Sequence, residues 1–190
     1  MNSFNYLGLE LRLDFTTGEL KKRYQELSKS NHPDVGGSPN EFSKIQSAYE
    51  DLNSPSRRLK AALATLNNAA VCRGAVPPQV LDLFSPIASA LEQVDRSLHE
   101  RSMARSNLSR ALIDAKIPEL KISLDSLQEK IGKLEMTFTD KFGLFDSAGW
   151  QESQNEMDET SRGLAFLEKW QTQIRAAIGK LLEALLEESS

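Results

Sequence analysis

His32, Pro33 and Asp34 are contiguous, so one short stretch offers an imidazole, a rigid residue without a backbone donor, and a carboxylate. Taken alone the tripeptide is a turn in which proline stops a helix and aspartate opens a loop. Lys21, Lys22, Arg23 and Lys29 stand just before it. A solvated helix face accounts for each of these cations singly, while together they make a docking patch for an acidic surface. The remaining candidates for chemistry are sparse. His99 has no second histidine or cysteine nearby, and Cys72 is the only cysteine, so neither a structural zinc set nor an internal disulfide can be assembled. Glu152, Glu156, Asp158, Glu159, Glu187 and Glu188 are expected on solvated helix faces, since acid and base catalysis would require a cleft around a chosen pair. Trp150 and Trp170 are assigned to packing between helices. There is no Gly-rich phosphate loop and no nucleophile elbow. The expectation is a chain with no catalytic residue, no cofactor and no metal ion.

Helices must position the tripeptide. Thr16 with Glu19 fits a capping box, and ELKKRYQELSKSN then places Leu20, Tyr24 and Leu27 on one stripe, which predicts a helix over 18–31. Pro33 ends it, and VGGSPN makes a loop. From Asn40, Phe42, Ile45, Ala48, Tyr49 and Leu52 again share one helical face, ending at Asn53-Ser54-Pro55. Two antiparallel helices joined by the loop follow, with Tyr24, Phe42, Ile45, Tyr49 and Leu52 as core. The run LKAALATL extends a further helix to about Leu66. A linker, NNAAVCRGAVPPQ, comes next.

Beyond the linker the apolar spacing lengthens. Leu83, Ile87, Leu91, Val94 and Leu98 mark a helical segment over about 80–115, bounded by Pro118. Leu120, Leu124, Leu127, Ile131, Leu134 and Phe138 alternate spacings of four and three. Leu164, Leu167, Ile174, Ile178, Leu181 and Leu185 do the same, with Gln171 at one seam position. Three such stripes are buried most economically in a three-helix bundle. The fold class is therefore all-α, divided as 1–67, a linker at 68–80, and a helical bundle at 81–190. With 39% hydrophobic and 26% charged residues there is enough apolar material for packed cores. The net charge of −4 gives no general reason to expect nucleic acid or an anionic membrane as partner. No segment reaches the roughly 20 apolar residues of a spanning helix, and cytoplasmic residence is expected.

The residues around the tripeptide resemble a J domain: Phe4, Leu7, Gly8 and Leu9 before it, Leu20, Tyr24 and Leu27 leading in, and Phe42, Ile45, Ala48, Tyr49 and Leu52 after it. J domains belong to co-chaperones that stimulate ATP hydrolysis by a DnaK-type chaperone. The resemblance implies that Asp34 makes a charged contact to that chaperone, that His32 and Pro33 hold the loop and add contact surface, and that Lys21, Lys22, Arg23, Tyr24 and Lys29 belong to the chaperone-binding face. Hydrolysis itself belongs to the partner. Gln25 and Glu26 occupy positions that are often basic in J domains, and Asn31 replaces a frequent aromatic.

The chain has neither the Gly/Phe-rich stretch nor the cysteine-rich module of the large general-purpose J proteins. It is similar instead to the HscB-type co-chaperones of iron–sulfur cluster assembly, which join a J domain to a C-terminal three-helix bundle. The similarity rests on the long connection from Gly8-Leu9 to Leu20, on Asn53-Ser54-Pro55 with Arg58 and LKAALATL, and on Trp150 with LAFLEKWQTQI from Leu164. It implies an HscA-type chaperone as partner and an iron–sulfur scaffold protein as client. The stretch LEQVDRSLHERS does not match the client-binding motif, so no client-binding residue is assigned. Two alternatives stay open: a J protein whose bundle dimerises or takes an unrelated client, and a structural helical protein with an inactive J domain.

Overall fold

The computed structural model describes residues 2–66 and 75–186. Most of the expected linker, with Cys72, lies outside the described residues, as do Glu187 and Glu188. Among the described residues all regular structure is helical. The elements are α1 (Ser3–Leu7), α2 (Thr17–Asn31), α3 (Pro39–Asn53), α4 (Pro55–Leu63), α5 (Pro78–Met103), α6 (Asn107–Asp114), α7 (Ile117–Thr139), α8 (Phe142–Ala148) and α9 (Trp150–Leu186), with a 3-10 turn at Pro33–Val35.

They pack as two compact units, each drawn from two stretches of sequence. Met1–Pro77 and Thr137–Ala165 form the first, and Pro78–Met136 with Phe166–Ser190 the second. The block 81–190, expected as one bundle, is thus divided by packing: 137–165 belongs with the N-terminal residues. The physical reason lies in α8 and the start of α9. Phe142 and Phe145 are buried, Trp150 meets Phe4 at a ring separation of 5.9 Å, and buried Ser161 donates to the Ser56 carbonyl at 3.0 Å.

In the first unit α2 is started by the expected capping box. Thr16 Oγ1 accepts from the Glu19 amide at 3.1 Å, and Glu19 accepts from the Thr16 amide at 2.9 Å. That backbone bond, with help from the Thr16 hydroxyl and Arg12, holds the Glu19 carboxyl below its usual 4.5. α2 and α3 run antiparallel: Tyr24 stacks on Tyr49 at 4.3 Å, while His32, eight residues later, meets Phe42, seven residues earlier than Tyr49. Leu20, Ile45 and Leu52 are buried as expected, but Tyr24, Phe42 and Tyr49 are only half-buried. Their rings lie along the border of the seam, where an aromatic body packs and its rim meets water. Ser54 ends α3 and caps α4, accepting from the Arg57 amide at 3.3 Å. α4 stops at Leu63, one turn short of the expected Leu66, where the Thr65 hydroxyl donates to the Ala62 carbonyl at 2.7 Å.

Arg58 is 8% exposed. Its Nε donates to Leu52 O and its Nη1 to Leu13 O, both at 2.8 Å, and the guanidinium lies 4.0 Å over the Phe15 ring. Burial pushes its pKa down to about 10, opposed by the nearby Asp14 and Asp146 carboxylates.

The second unit buries the middle of each expected stripe, while Phe138 and Leu164 fall in the first unit and Leu83, Leu91 and Leu98 are half-buried. Ile87 and Val94 of α5, Leu124 and Ile131 of α7, and Leu167, Ile174 and Leu181 of α9 are all inaccessible. Phe84 of α5 meets Trp170 of α9 edge-on at 4.7 Å, and Gln171, the polar seam residue, donates to Glu135 of α7 at 2.6 Å. The helix expected over 80–115 is two helices. It runs through Pro86, ends at Met103, and restarts at α6 because Ser106 accepts from the Ser109 amide. Buried Asp114 and the partly buried Arg101 join α5 to α6 at 2.8 Å.

Candidate functional site

The bend between α2 and α3 is built from short-range bonds. His32 has extended backbone angles, as the residue before a proline should, and so ends α2. The chain then makes one 3-10 turn, closed by the Gly36 amide on Pro33 O and the Gly37 amide on His32 O, both at 3.0 Å. Gly37 is required by space: a Cβ there would lie 2.1 Å from the Asn31 carbonyl oxygen. His32 Nδ1 accepts from the Asp34 amide at 3.2 Å and lies 3.4 Å from Asp34 Oδ2. The other face of the ring system is pinned edge-on against Phe42 at 5.1 Å. The imidazole thus caps the turn and braces it against α3, while Asp34 projects a carboxylate that is 87% exposed. The arrangement holds a carboxylate at the tip of a bend braced against α3.

The flanking residues divide in two. Lys21, Lys22 and Lys29 are exposed. Arg23 is committed elsewhere: its Nε donates to Leu7 O at 2.9 Å and Nη1 sits 3.4 Å from Glu26, tying α2 to the end of α1. It covers Gly8, whose left-handed φ of 58° closes α1 and would strain a residue with a Cβ. Tyr24 is in its stack with Tyr49. The structure therefore brings His32, Pro33, Asp34 and Lys29 together, sets Lys21 and Lys22 out along α2, and gives Arg23 and Tyr24 packing duties.

Two further residues belong to the site. Ser28 and Phe42 line an open, largely apolar groove with Lys29, His32 and Asp34, and the buried Ser28 Oγ has no hydrogen-bond partner among the described residues. Ser28 lies four residues before His32, so helical spacing alone could have placed it there. Phe42 was assigned to the core by its periodicity, although its ring forms the wall of the groove. His99 is exposed on α5, and no group of three metal-ligating side chains occurs among the described residues. None of the described helices is long and apolar enough to cross a membrane.

The model of the DnaJ domain matches residues 4–60, which takes in α1 to α3, the bend and most of α4. Residues 4–60 are a DnaJ domain. The curated proteins similar to it are of the same kind. DnaJ protein homolog 2 of Allium porrum is 42% identical over 57 residues, 30% of this chain and 14% of that protein. Chaperone protein dnaJ A6 of Oryza sativa subsp. japonica is 48% identical over 40 residues, 21% of this chain and 10% of that protein. Chaperone protein dnaJ 2 of Arabidopsis thaliana is 45% identical over 40 residues, with the same shares. The chain thus spans a small fraction of these relatives' length, and each likeness runs over 40 to 57 residues. The domain match ends at residue 60, whereas the compact unit that contains it continues at Thr137–Ala165.

Proposed function

We propose that this protein is a co-chaperone that docks an ATP-bound DnaK-type chaperone through α2 and the His32-Pro33-Asp34 bend, and triggers its ATP hydrolysis. The observation that carries this reading is the exposed Asp34 carboxylate on a braced bend of a DnaJ domain, with Lys29 beside it and Lys21 and Lys22 along the same helix. Paired charges of both signs orient an encounter and quicken it, and a rigid bend loses little freedom on docking. The apolar groove beside His32 supplies contact surface next to the charge. In this reading Lys21, Lys22 and Lys29 steer, Asp34 and the groove make the contact, and Arg23 and Tyr24 hold α2 in place.

The helices beyond residue 77 hold a client, which raises the client's local concentration at the chaperone before hydrolysis traps it. The finer form of the proposal makes the chaperone HscA-type and the client an iron–sulfur scaffold protein. It is supported by the residues of likeness at Asn53-Ser54-Pro55, Arg58 and Leu164 onward, and by an N-terminal J domain followed by long amphipathic helices. Single-turnover ATP hydrolysis by the chaperone encoded in the same genome tests the first part. Stimulation that disappears with His32→Gln is expected, and none at all, or stimulation that survives the change, refutes it. Retention of the scaffold protein on the immobilised full chain tests the second, and no retention removes the iron–sulfur assignment while leaving the first intact.

A further inference from the structure

α2 is rooted in the short connection Leu13-Asp14-Phe15, which ends at its capping residue Thr16. That connection is gripped from both sides of its peptide groups. Its carbonyls face Arg58, with Leu13 O at 2.8 Å and Phe15 O at 3.4 Å. Its amides face Asp146 of α8, a residue far outside the DnaJ-domain match. The Leu13 N–H donates to Oδ1 at 2.9 Å and Oδ2 at 2.8 Å, and the Asp14 N–H donates to Oδ2 at 2.9 Å. The indole Nε1 of Trp150, one turn on, donates to Oδ1 at 2.8 Å and fixes the carboxylate. An ionised carboxylate receiving three N–H donors makes charge-assisted bonds stronger than ordinary amide bonds.

We infer that Asp146 is a positioning residue for the chaperone-docking helix: it clasps the root of α2 from outside the DnaJ domain, and the docking unit is complete only with Thr137–Ala165. The inference rests on the docking role given to α2 above. Loss of the clasp frees the connection and the first turn of α2, so the helix must be re-ordered when the chaperone binds. The bend, its exposed Asp34 and its brace against Phe42 are untouched. The cost therefore falls on the concentration of protein needed, and the maximal rate is kept.

The test uses the full chain with Asp146→Asn, which keeps the shape but turns an N–H group toward the N–H donors. Ser161→Ala is the control, since it removes a buried bond of the same segment, to Ser56 O, without touching residues 13–15. Trp150→Phe, which removes the N–H that orients the carboxylate while keeping an aromatic ring against Phe4, serves if Asp146→Asn does not fold. Amide exchange at Leu13, Asp14 and the first turn of α2 should quicken about 10- to 100-fold in Asp146→Asn and stay unchanged in Ser161→Ala. Single-turnover stimulation of the DnaK-type chaperone should need about three- to tenfold more protein at half-maximum, the cost of re-ordering that turn on docking, with the maximum unchanged. Unchanged exchange overturns the clasp. Quickened exchange with an unchanged half-maximum, or with a lowered maximum alone, makes Asp146 merely structural and overturns its positioning role. A wild-type chain that fails to stimulate refutes the proposed function, and exchange at the first turn of α2 then still decides whether Asp146 positions the helix.

Discussion

Replacing Arg58 with methionine should destabilise the first unit by about 2–4 kcal/mol, although the substitution preserves most of the side chain's volume. The guanidinium satisfies Leu52 O and Leu13 O at 2.8 Å each, and methionine has no donor for either. Leu52 O, left bare, costs about 1–3 kcal/mol, while Leu13 O keeps the Phe15 amide at 3.1 Å and loses only its second, charge-assisted bond. Loss of the cation over Phe15 at 4.0 Å adds about 1 kcal/mol. Against these stands the relief of no longer burying a charge, the same cost that pushes the arginine's pKa down to about 10. The net loss is therefore smaller than the sum of the bonds. Arg58→Lys should lose at least as much, because one ammonium cannot span Leu52 O and Leu13 O and is more strongly hydrated. Urea unfolding of the full chain, followed by Trp150 fluorescence in a Trp170→Phe background, reads the first unit. A midpoint about 1–2 M lower with an unchanged slope is expected. A loss under about 0.5 kcal/mol would show that Arg58 is a bystander, and the account of how α3, α4 and the root of α2 are joined would fail.

Gly37→Ala should displace the bend, since its Cβ would lie 2.1 Å from Asn31 O; NMR of the His32 ring should show loss of its contact with Phe42, and a native spectrum would contradict the steric argument. Lys21→Glu combined with Lys22→Glu should raise the protein concentration needed for half-maximal chaperone stimulation several-fold at low salt, the gap to wild type closing near 0.5 M salt, because exposed charges are screened within about 10 Å even at 0.1 M. An effect that does not depend on salt would refute steering. For Glu19 the sign follows from its lowered pKa: the capping carboxylate adds stability above the ordinary carboxylate range, and that contribution is lost as pH falls from about 4.5 through its folded pKa. Glu19→Gln should accordingly shallow the acid side of the stability profile, and an identical acid limb in both proteins would show that the capping box does not form in solution.

The bend and its hairpin were legible because their determinants are local. Thr16 and Glu19 are three residues apart, Pro33 acts on its own predecessor, and the stripes through Leu20 and Ile45 repeat within one helix. The seams of α5, α7 and α9 were legible for the same reason, down to Gln171 in its seam position. Short elements escaped. α6 depends on a single serine cap at Ser106, and α8 on Phe142 and Phe145, a pair too brief to establish a period. The division of the C-terminal half was hidden for a different reason: Asp146 meets Leu13 across 133 residues of sequence, and nothing in an isolated aspartate announces which amides it will accept. Arg23 shows the converse limit. Its type and place fitted a docking patch, but nothing local foretold that the left-handed end of α1 puts the Leu7 carbonyl within its reach.

The central claim is that an exposed carboxylate on a braced bend acts on another molecule's nucleotide turnover, so the most direct measurement is single-turnover ATP hydrolysis by the DnaK-type chaperone with wild type and with Asp34→Asn, each at saturating concentration. Asp34 is 87% exposed, and its replacement by asparagine removes a charge while leaving the backbone amide bonded to His32. The account predicts stimulation by the wild type and its near-complete loss in the variant, with unfolding midpoints the same. Equal stimulation by the two proteins would contradict it.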